Sequence, residues 1–361
     1  MYFRTSAIST LSIIQFLLLI LISGVHGSEV NAEAKAPGPR PIIERLLPSP
    51  KDSGFRMEGF FVWGGSVIKV GDTYHLFASR WPEATKFPSG YLSHSEIVRA
   101  TAKNALGPYQ FQEVVLSGRG EKWWDGQMCH NPKIVQSGGT FVLYYIGSAV
   151  GSGARKCGYA YSQSIEGPWK RCNESLPFGA DHNNPAPYFH DDGRVLLMYR
   201  DRGLRVFSAV ADKFDGTYRI VGKDLFPRVP LEDMDLFFLN GHYHMVAEDN
   251  RGKLSGHQRY AVHLTSRDGI TWSKYDPLIA YTHTIKWTDG TKTKCERRER
   301  PELFNANAER KGNGHPTHLL TAVLVDGKTW CHVQAIAPPE VEKGESTVPS
   351  ETAPRASSDV R

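Results

Sequence analysis

A unit that recurs about every 50 to 70 residues constrains this chain more than any other feature. In each copy an apolar strand follows a Gly-containing hairpin, and a second strand runs through a small-residue step into a Gly-aromatic turn. The first strands read YHLFAS from Tyr74, FVLYYIGS from Phe141, VLLMYRD from Val195, YHMVAED from Tyr243 and THLLTAV from Thr317. The partners read ATAKNALGPY (Ala100 to Tyr109), AYSQSIEGPW (Ala160 to Trp169), AVADKFDGTY (Ala209 to Tyr218) and LTSRDGITW (Leu264 to Trp272). Short strands and Gly turns repeating at this period are the mark of propeller blades. Four full copies and a partial fifth predict an all-β, five-bladed β-propeller of four-stranded antiparallel sheets over residues 41–337. The segment PIIERLL, spanning Ile42 to Leu47, is expected to supply the missing outer strand of the last blade.

The ends of the chain read differently. Residues 1–27 have the form of a signal peptide, with Arg4 ahead of an apolar run from Leu11 to Ile22 and small residues at Val25 and Gly27. This predicts a secreted or periplasmic protein that leaves the membrane once the signal is cut. Residues 28–40 and 338–361 are rich in Pro, Ala, Glu, Ser and Thr and are expected to be disordered. Five Cys in an exported chain allow two disulfides, with Cys157–Cys172 and Cys295–Cys331 as candidates and buried thiols as the alternative. The net charge of +5 is mild and its Lys and Arg are scattered, which argues against a nucleic-acid partner and is compatible with an anionic glycan. A monomer is expected.

In a propeller the innermost strand of each blade begins near the central channel, so residues at those starts converge. Here they are polar and aromatic: Glu58 and Trp63; Trp123, Trp124, Asp125, His130 and Asn131; Asp181 to Asn184; Glu232, Asp233 and Asp235; Arg298 to Glu302. Sugars stack on aromatic faces, and their hydroxyls pair with amides, carboxylates and Arg. Cleaving a glycosidic bond needs two carboxyl groups, one protonated and one ionised. Each residue also has a plainer reading: a carboxylate capping a turn, an Asn fixing a strand start, a Trp in a blade core. No His/Cys/carboxylate spacing resembles a zinc site, so no required metal is expected, with a central structural ion such as calcium left open.

The Asn-Pro steps at 131–132 and 184–185, EDMDLFFLNGHYHMV in blade four, and ERPELF with HPTHLLTAV in blade five resemble the five-bladed glycoside hydrolases of family 43 and the related families 32 and 68. The resemblance spans Phe60 to Val325. It implies a hydrolase acting on an extracellular poly- or oligosaccharide with inversion, and it sets Glu232 at the position of the general acid. The family's blade-one Asp-Pro, which carries the base, is replaced by Gly64-Gly65, which makes Glu58 or Asp125 the substitute. The family's blade-three Asp is Asn184, leaving Asp181 or Asp233 to tune the acid. Trp63, Trp124, His130, Asn131, Asn184, Arg300 and His318 are the candidate sugar contacts. The alternative is a non-catalytic carbohydrate-binding propeller that has lost the blade-one base.

Overall fold

A computed structural model describes residues 40–306 and 314–339. The expected signal peptide, the expected leader up to residue 39 and the expected tail from residue 340 lie outside the described residues. Blade one contains β1 (Phe60–Val70), β2 (Thr73–Pro82), β3 (Glu96–Ala102) and β4 (Gln110–Leu116). Blade two contains β5 (Met128–Ser137), β6 (Thr140–Ser148), β7 (Lys156–Ser162) and β8 (Lys170–Arg171). Blade three contains β9 (His182–Phe189), β10 (Val195–Asp201), β11 (Val206–Ala211) and β12 (Arg219–Gly222). Blade four contains β13 (Leu231–Leu239), β14 (His242–Asp249), β15 (Tyr260–Ser266) and β16 (Trp272–Tyr281). A hairpin of β17 (Thr284–Lys286) and β18 (Lys292–Lys294) leads to blade five, formed by β19 (Arg297–Phe304), β20 (His318–Val325) and β21 (Lys328–Ala335). Each sheet is an antiparallel meander, and together they form the expected five-bladed propeller.

Blade five has three strands of its own. The expected edge strand at Ile42–Leu47 is instead one helical turn, α1 (Ile42–Arg45), after which the chain runs beside β21 through bridges Leu46–Ile336 and Phe55–Cys331. The same segment bonds blade one, with Gly54 N donating to Leu106 O at 2.7 Å. One stretch of backbone therefore ties the last blade to the first.

The apolar core lies between blades. Val67 and Leu76 pack against Leu320 and Val333; Ile68 and Phe77 against Ile134 and Leu143; Val142 and Tyr144 against Leu197 and Tyr199. Leu196 and Met198 meet Leu236 and Met245, and Phe237 and Val246 meet Leu303 and Leu319. Strand alternation produces this arrangement, because successive side chains of a middle strand face the two neighbouring blades. Neither expected disulfide forms; all five cysteines are free thiols. Cys172 pairs with Tyr159, its N donating to Tyr159 O at 2.9 Å, and this sets it two residues along the ladder from Cys157, about 7 Å at 3.3 Å per residue and out of disulfide reach. Cys331 and Cys295 are buried in separate apolar clusters.

Candidate active site at the channel mouth

All five inner strands break register at the same place. The pairing slips between Trp63 and Gly65 in β1, His130 and Lys133 in β5, Asn183 and Ala186 in β9, Glu232 and Asp235 in β13, and Glu299 and Glu302 in β19. The extra residue at each bulge is left-handed: Gly64, Asn131, Asn184, Asp233 and Arg300 have φ of 55°, 55°, 53°, 56° and 59°. Pro follows at 132, 185 and 301, where the ladder needs no donor. A bulge re-aims its side chain, and here four of the five side chains meet at one point over the channel.

Asp233 is the hub. Its Oδ1 accepts from Asn184 Nδ2 at 2.6 Å and from Arg300 Nη1 in a very short bond. Asn131 lies beside Arg300 and His130. With its oxygen toward the guanidinium (Nη1, 2.8 Å) its nitrogen faces His130 Nε2 at 3.0 Å; turned over, Nδ2 instead donates to Asn184 Oδ1 at 3.1 Å. The first orientation gives the buried cation an acceptor and is the favoured one. His130 Nδ1 lies 2.7 Å from Ser95 Oγ. Burial, with Arg300 and Arg155 nearby, holds this imidazole neutral, well below its usual range. Gly64 is the gap in the circle: a Cβ there would meet the Asn131 amide at 2.8 Å and Arg300 Nε at 3.2 Å.

Above this floor sits a cavity of about 220 Å³. One wall is aromatic: Trp63, Trp81, Tyr91 and His130, with Tyr91 stacked on His130 at 4.5 Å. Tyr91 comes from α2 (Tyr91–His94), in the β2–β3 connection that leans over the mouth. The rest of the lining is charged, with Glu232, Asp233, Glu299, Arg155, Arg200, Arg297 and Arg300. Glu232 is engaged at both oxygens, by Arg200 Nη2 at 2.7 Å and by Asn250 Nδ2 in a very short bond. Glu299 Oε1 accepts from Arg297 Nε at 2.6 Å and Arg259 Nη1 at 2.7 Å. Behind it lies Glu248, fully buried, with Oε1 2.9 Å from Arg259 Nη1 and Oε2 without a hydrogen-bond partner.

Carboxyl oxygens of Asp233, Glu248 and Glu299 all lie within 4.8 Å of one another. Burial, then the charges of Glu299, Asp233 and Glu232, pushes Glu248 well above the usual carboxyl range against the pull of Arg259. Glu299 is raised chiefly by burial, with Arg297 and Arg259 opposing. Three oxygen ligands so arranged could face a cation, and Arg259, Arg297 and Arg300 already supply positive charge there, each engaging one carboxylate oxygen of the cluster.

One layer below, Lys133 Nζ sits between Asp235 Oδ1 at 2.7 Å and Glu302 Oε2 at 2.5 Å, and Ser66 Oγ donates to Glu302 Oε1 at 2.6 Å. Burial opposes this ammonium, and the two carboxylates outweigh it, keeping Lys133 above its usual range.

The expected residues divide accordingly. Trp63, His130, Asn131, Asn184, Glu232, Asp233 and Arg300 line the cavity. Glu58 does not: it is exposed and borders a separate cavity beside Trp287 and Trp330. Asp125 is buried in blade two, bound by Arg119 Nε at 2.6 Å and by the Tyr145 hydroxyl at 2.7 Å. Trp124 packs on Tyr145 in the blade core. His318 belongs to the second strand of its blade, stacked on Phe304 at the far end of β19. The bulge register also makes Asp233, and not Glu232, the blade-four counterpart of Gly64 and Asn184. Arg155, Arg200, Tyr91, Glu248 and Arg259 were not singled out from sequence; Arg200, Glu248 and Arg259 come from middle strands or their connections, and no inner-strand pattern points to them.

No protein family matches the sequence, and no curated protein does. Similarity is found among solved structures. Zg3597, a family 117 glycoside hydrolase from the marine bacterium Zobellia galactanivorans, is 18% identical with a TM-score of 0.57 over 80% of this chain and 88% of its own. CoXyl43, a GH43 β-xylosidase/α-arabinofuranosidase from a compost metagenome in complex with xylotriose, is 13% identical with a TM-score of 0.58 over 80% and 95%. The α-L-arabinofuranosidase PaAbf62A from Podospora anserina, in complex with cellotriose, is 14% identical with a TM-score of 0.57 over 81% and 95%. This chain has the fold of these five-bladed propellers.

Proposed function

We propose that this protein is an exported glycoside hydrolase that cleaves a terminal sugar in the channel-mouth cavity. The observation that carries the reading is the pairing of an aromatic wall with two carboxyl groups in different settings: Glu299, buried and raised above its usual range despite Arg297 and Arg259, and Glu232, bonded at both oxygens by Arg200 and Asn250. Two carboxyl groups in one glycosidase site divide into acid and base. Glu299 is the general acid, since its surroundings favour the protonated form. Glu232, expected from sequence as the acid, takes the ionised role, because both of its oxygens already accept hydrogen bonds. Asp233 positions Arg300 and Asn184 at the floor. At about 30 Å³ per water, the cavity has the space of roughly seven waters, which suits one sugar ring better than an internal stretch of polymer.

The structural relatives that hold xylotriose and cellotriose support a saccharide ligand. Gly64 favours the second reading, a binding propeller, because blade one brings no carboxylate to the mouth. The purified protein is to be incubated with plant and algal glycans and assayed for new reducing ends. Release that is lost in Glu299→Gln supports hydrolysis. Saturable glycan binding with no release from any substrate sinks the hydrolase and leaves the binding module.

A further inference from the structure

The cavity carries one more cation than its own carboxylates engage. Its lining carboxylates each have an arginine from the lining: Glu232 has Arg200, Asp233 has Arg300, and Glu299 has Arg297. Arg155, at the start of blade two's third strand, is different. Its Nη1 donates to the Tyr91 hydroxyl at 3.1 Å, Asp181 approaches its Nη2 only to 3.8 Å, and its Nε is buried without a hydrogen-bond partner. Arg200, which is 7% exposed, also has a buried Nε with no partner, although its Nη1 and Nη2 are used by Asp201 O and Glu232.

A neutral sugar filling this space would strip water from Arg155 and return no charge. Desolvating a cation whose carboxylate, Asp181, stands 3.8 Å away is unfavourable, whereas a planar or tetrahedral oxyanion meets a guanidinium with two parallel hydrogen bonds. We propose that the sugar taken by this cavity carries an anionic substituent, a carboxylate or a sulfate ester, seated against Arg155 on the Arg200 side while the ring rests on the aromatic wall. This rests on the reading of the channel mouth as a sugar site and adds the substrate class. Both oxyanions fit the same forks, so the source is decided by experiment.

Calorimetric titration at low salt is to compare methyl glucuronide and galacturonic acid, galactose 6-sulfate, and the neutral methyl glucoside and galactose, with sodium sulfate as a bare anion. The expected result is at least tenfold tighter binding of an anionic sugar than of its neutral counterpart, weakening as salt is raised. Preference for the uronates identifies a carboxylate, and preference for the sulfated sugar identifies a sulfate. Arg155→Met is expected to abolish the preference, so that an anionic sugar binds no tighter than its neutral counterpart. Arg155→Lys, which keeps the charge and loses the fork, is expected to retain part of it. A matching melting temperature for the three proteins establishes that folding is not at issue. Equal affinity for neutral and anionic sugars, sulfate binding as tightly as any sugar, or a preference that survives Arg155→Met overturns the proposal. The readout is binding and not turnover. A protein that binds uronate and cleaves nothing therefore defeats the hydrolase alone, and one that cleaves neutral glycans and ignores uronate defeats only the anionic substrate.

Discussion

Asn184 donates from Nδ2 to Asp233 Oδ1 at 2.6 Å, an amide of blade three against a carboxylate of blade four. Both residues sit at equivalent bulges with nearly the same left-handed φ, so the contact is produced twice over by one backbone device. With Arg300 on the same oxygen, Asp233 is surrounded by donors and serves as an acceptor that holds the floor in place.

That contact sets the first expectation. Asn184→Asp places a second carboxylate where the donor was, and two carboxylates at such a distance share one proton. If the proposed hydrolysis holds, the pH–rate profile should gain an ionisation that the native protein lacks, with activity at neutral pH reduced about tenfold or more. Asn184→Ala should lose rate without adding the ionisation. A profile for Asn184→Asp that overlays the native one shows that Asp233 does not depend on this donor.

Glu248 bears on stability through the same cluster. A carboxyl group whose proton affinity is raised by folding binds more protons in the native state than in the unfolded one. Its favourable contribution is therefore present at low pH and lost as pH rises from the unfolded value toward the raised folded one. Glu248→Gln removes the charge that must be buried at high pH. The variant should melt a few degrees above the native protein at pH 8, with the difference vanishing near pH 4. A native protein that is the more stable of the two at pH 8 contradicts the assignment.

The propeller itself was legible because each blade repeats its strand pattern, and repetition survives local ambiguity. The edge of blade five was not, since PIIERLL is apolar enough for either a strand or a helical turn, and the choice is made by where Leu46 and Phe55 meet β21. Trp63, His130, Asn131, Asn184 and Arg300 converge on the cavity because they lie on inner-strand starts, where the fold brings the blades together. Glu58 and Asp125 failed for a related reason: nearness in sequence to an inner strand does not fix the direction of a side chain, and Asp125 turns toward Arg119 and Tyr145 inside blade two. The one-residue step from Glu232 to Asp233 was hidden because a bulge changes which of two neighbouring acids is equivalent to Gly64, and that is visible only in the pairing register. Glu248 and Arg259 had no signal at all, since they reach the cluster from the middle of blade four.

Beneath the mouth, Lys133 holds Asp235 and Glu302 together where four blades meet. Removing one partner from a buried ionic group costs about 3 to 5 kcal/mol because the remaining charges stay buried. Lys133→Met should lower the melting temperature sharply. The two carboxylates and the Pro301 carbonyl, which lies 3.2 Å from Nζ, would then offer a cluster of hard oxygens, so millimolar calcium should restore part of the loss. The native protein, with an ammonium already in that place, should melt at the same temperature in calcium and in EDTA. A native protein destabilised by EDTA would mean that a metal contributes to its stability and that Lys133 does not replace one.

For the proposed hydrolysis, the stereochemical outcome follows from which two carboxyl groups act. Asp233 and Glu299 have oxygens within 4.8 Å of each other, closer than the about 6.5 to 9.5 Å between carboxyl groups that inversion needs. Glu58 and Asp125, which would have spanned the channel, do not line the cavity. Inversion therefore requires Glu232 to activate the water while Glu299 protonates the leaving oxygen. Glu299→Gln should cut the rate on substrates with poor leaving groups by about 100-fold and spare those whose leaving group needs no proton. Glu232→Gln should be slow on both. Proton NMR of the first-formed sugar should show the anomer opposite to that of the substrate. Retention would instead assign the nucleophile to Asp233, at the close spacing of about 5 to 5.5 Å that retaining enzymes use, and would remove Glu232 from the reaction.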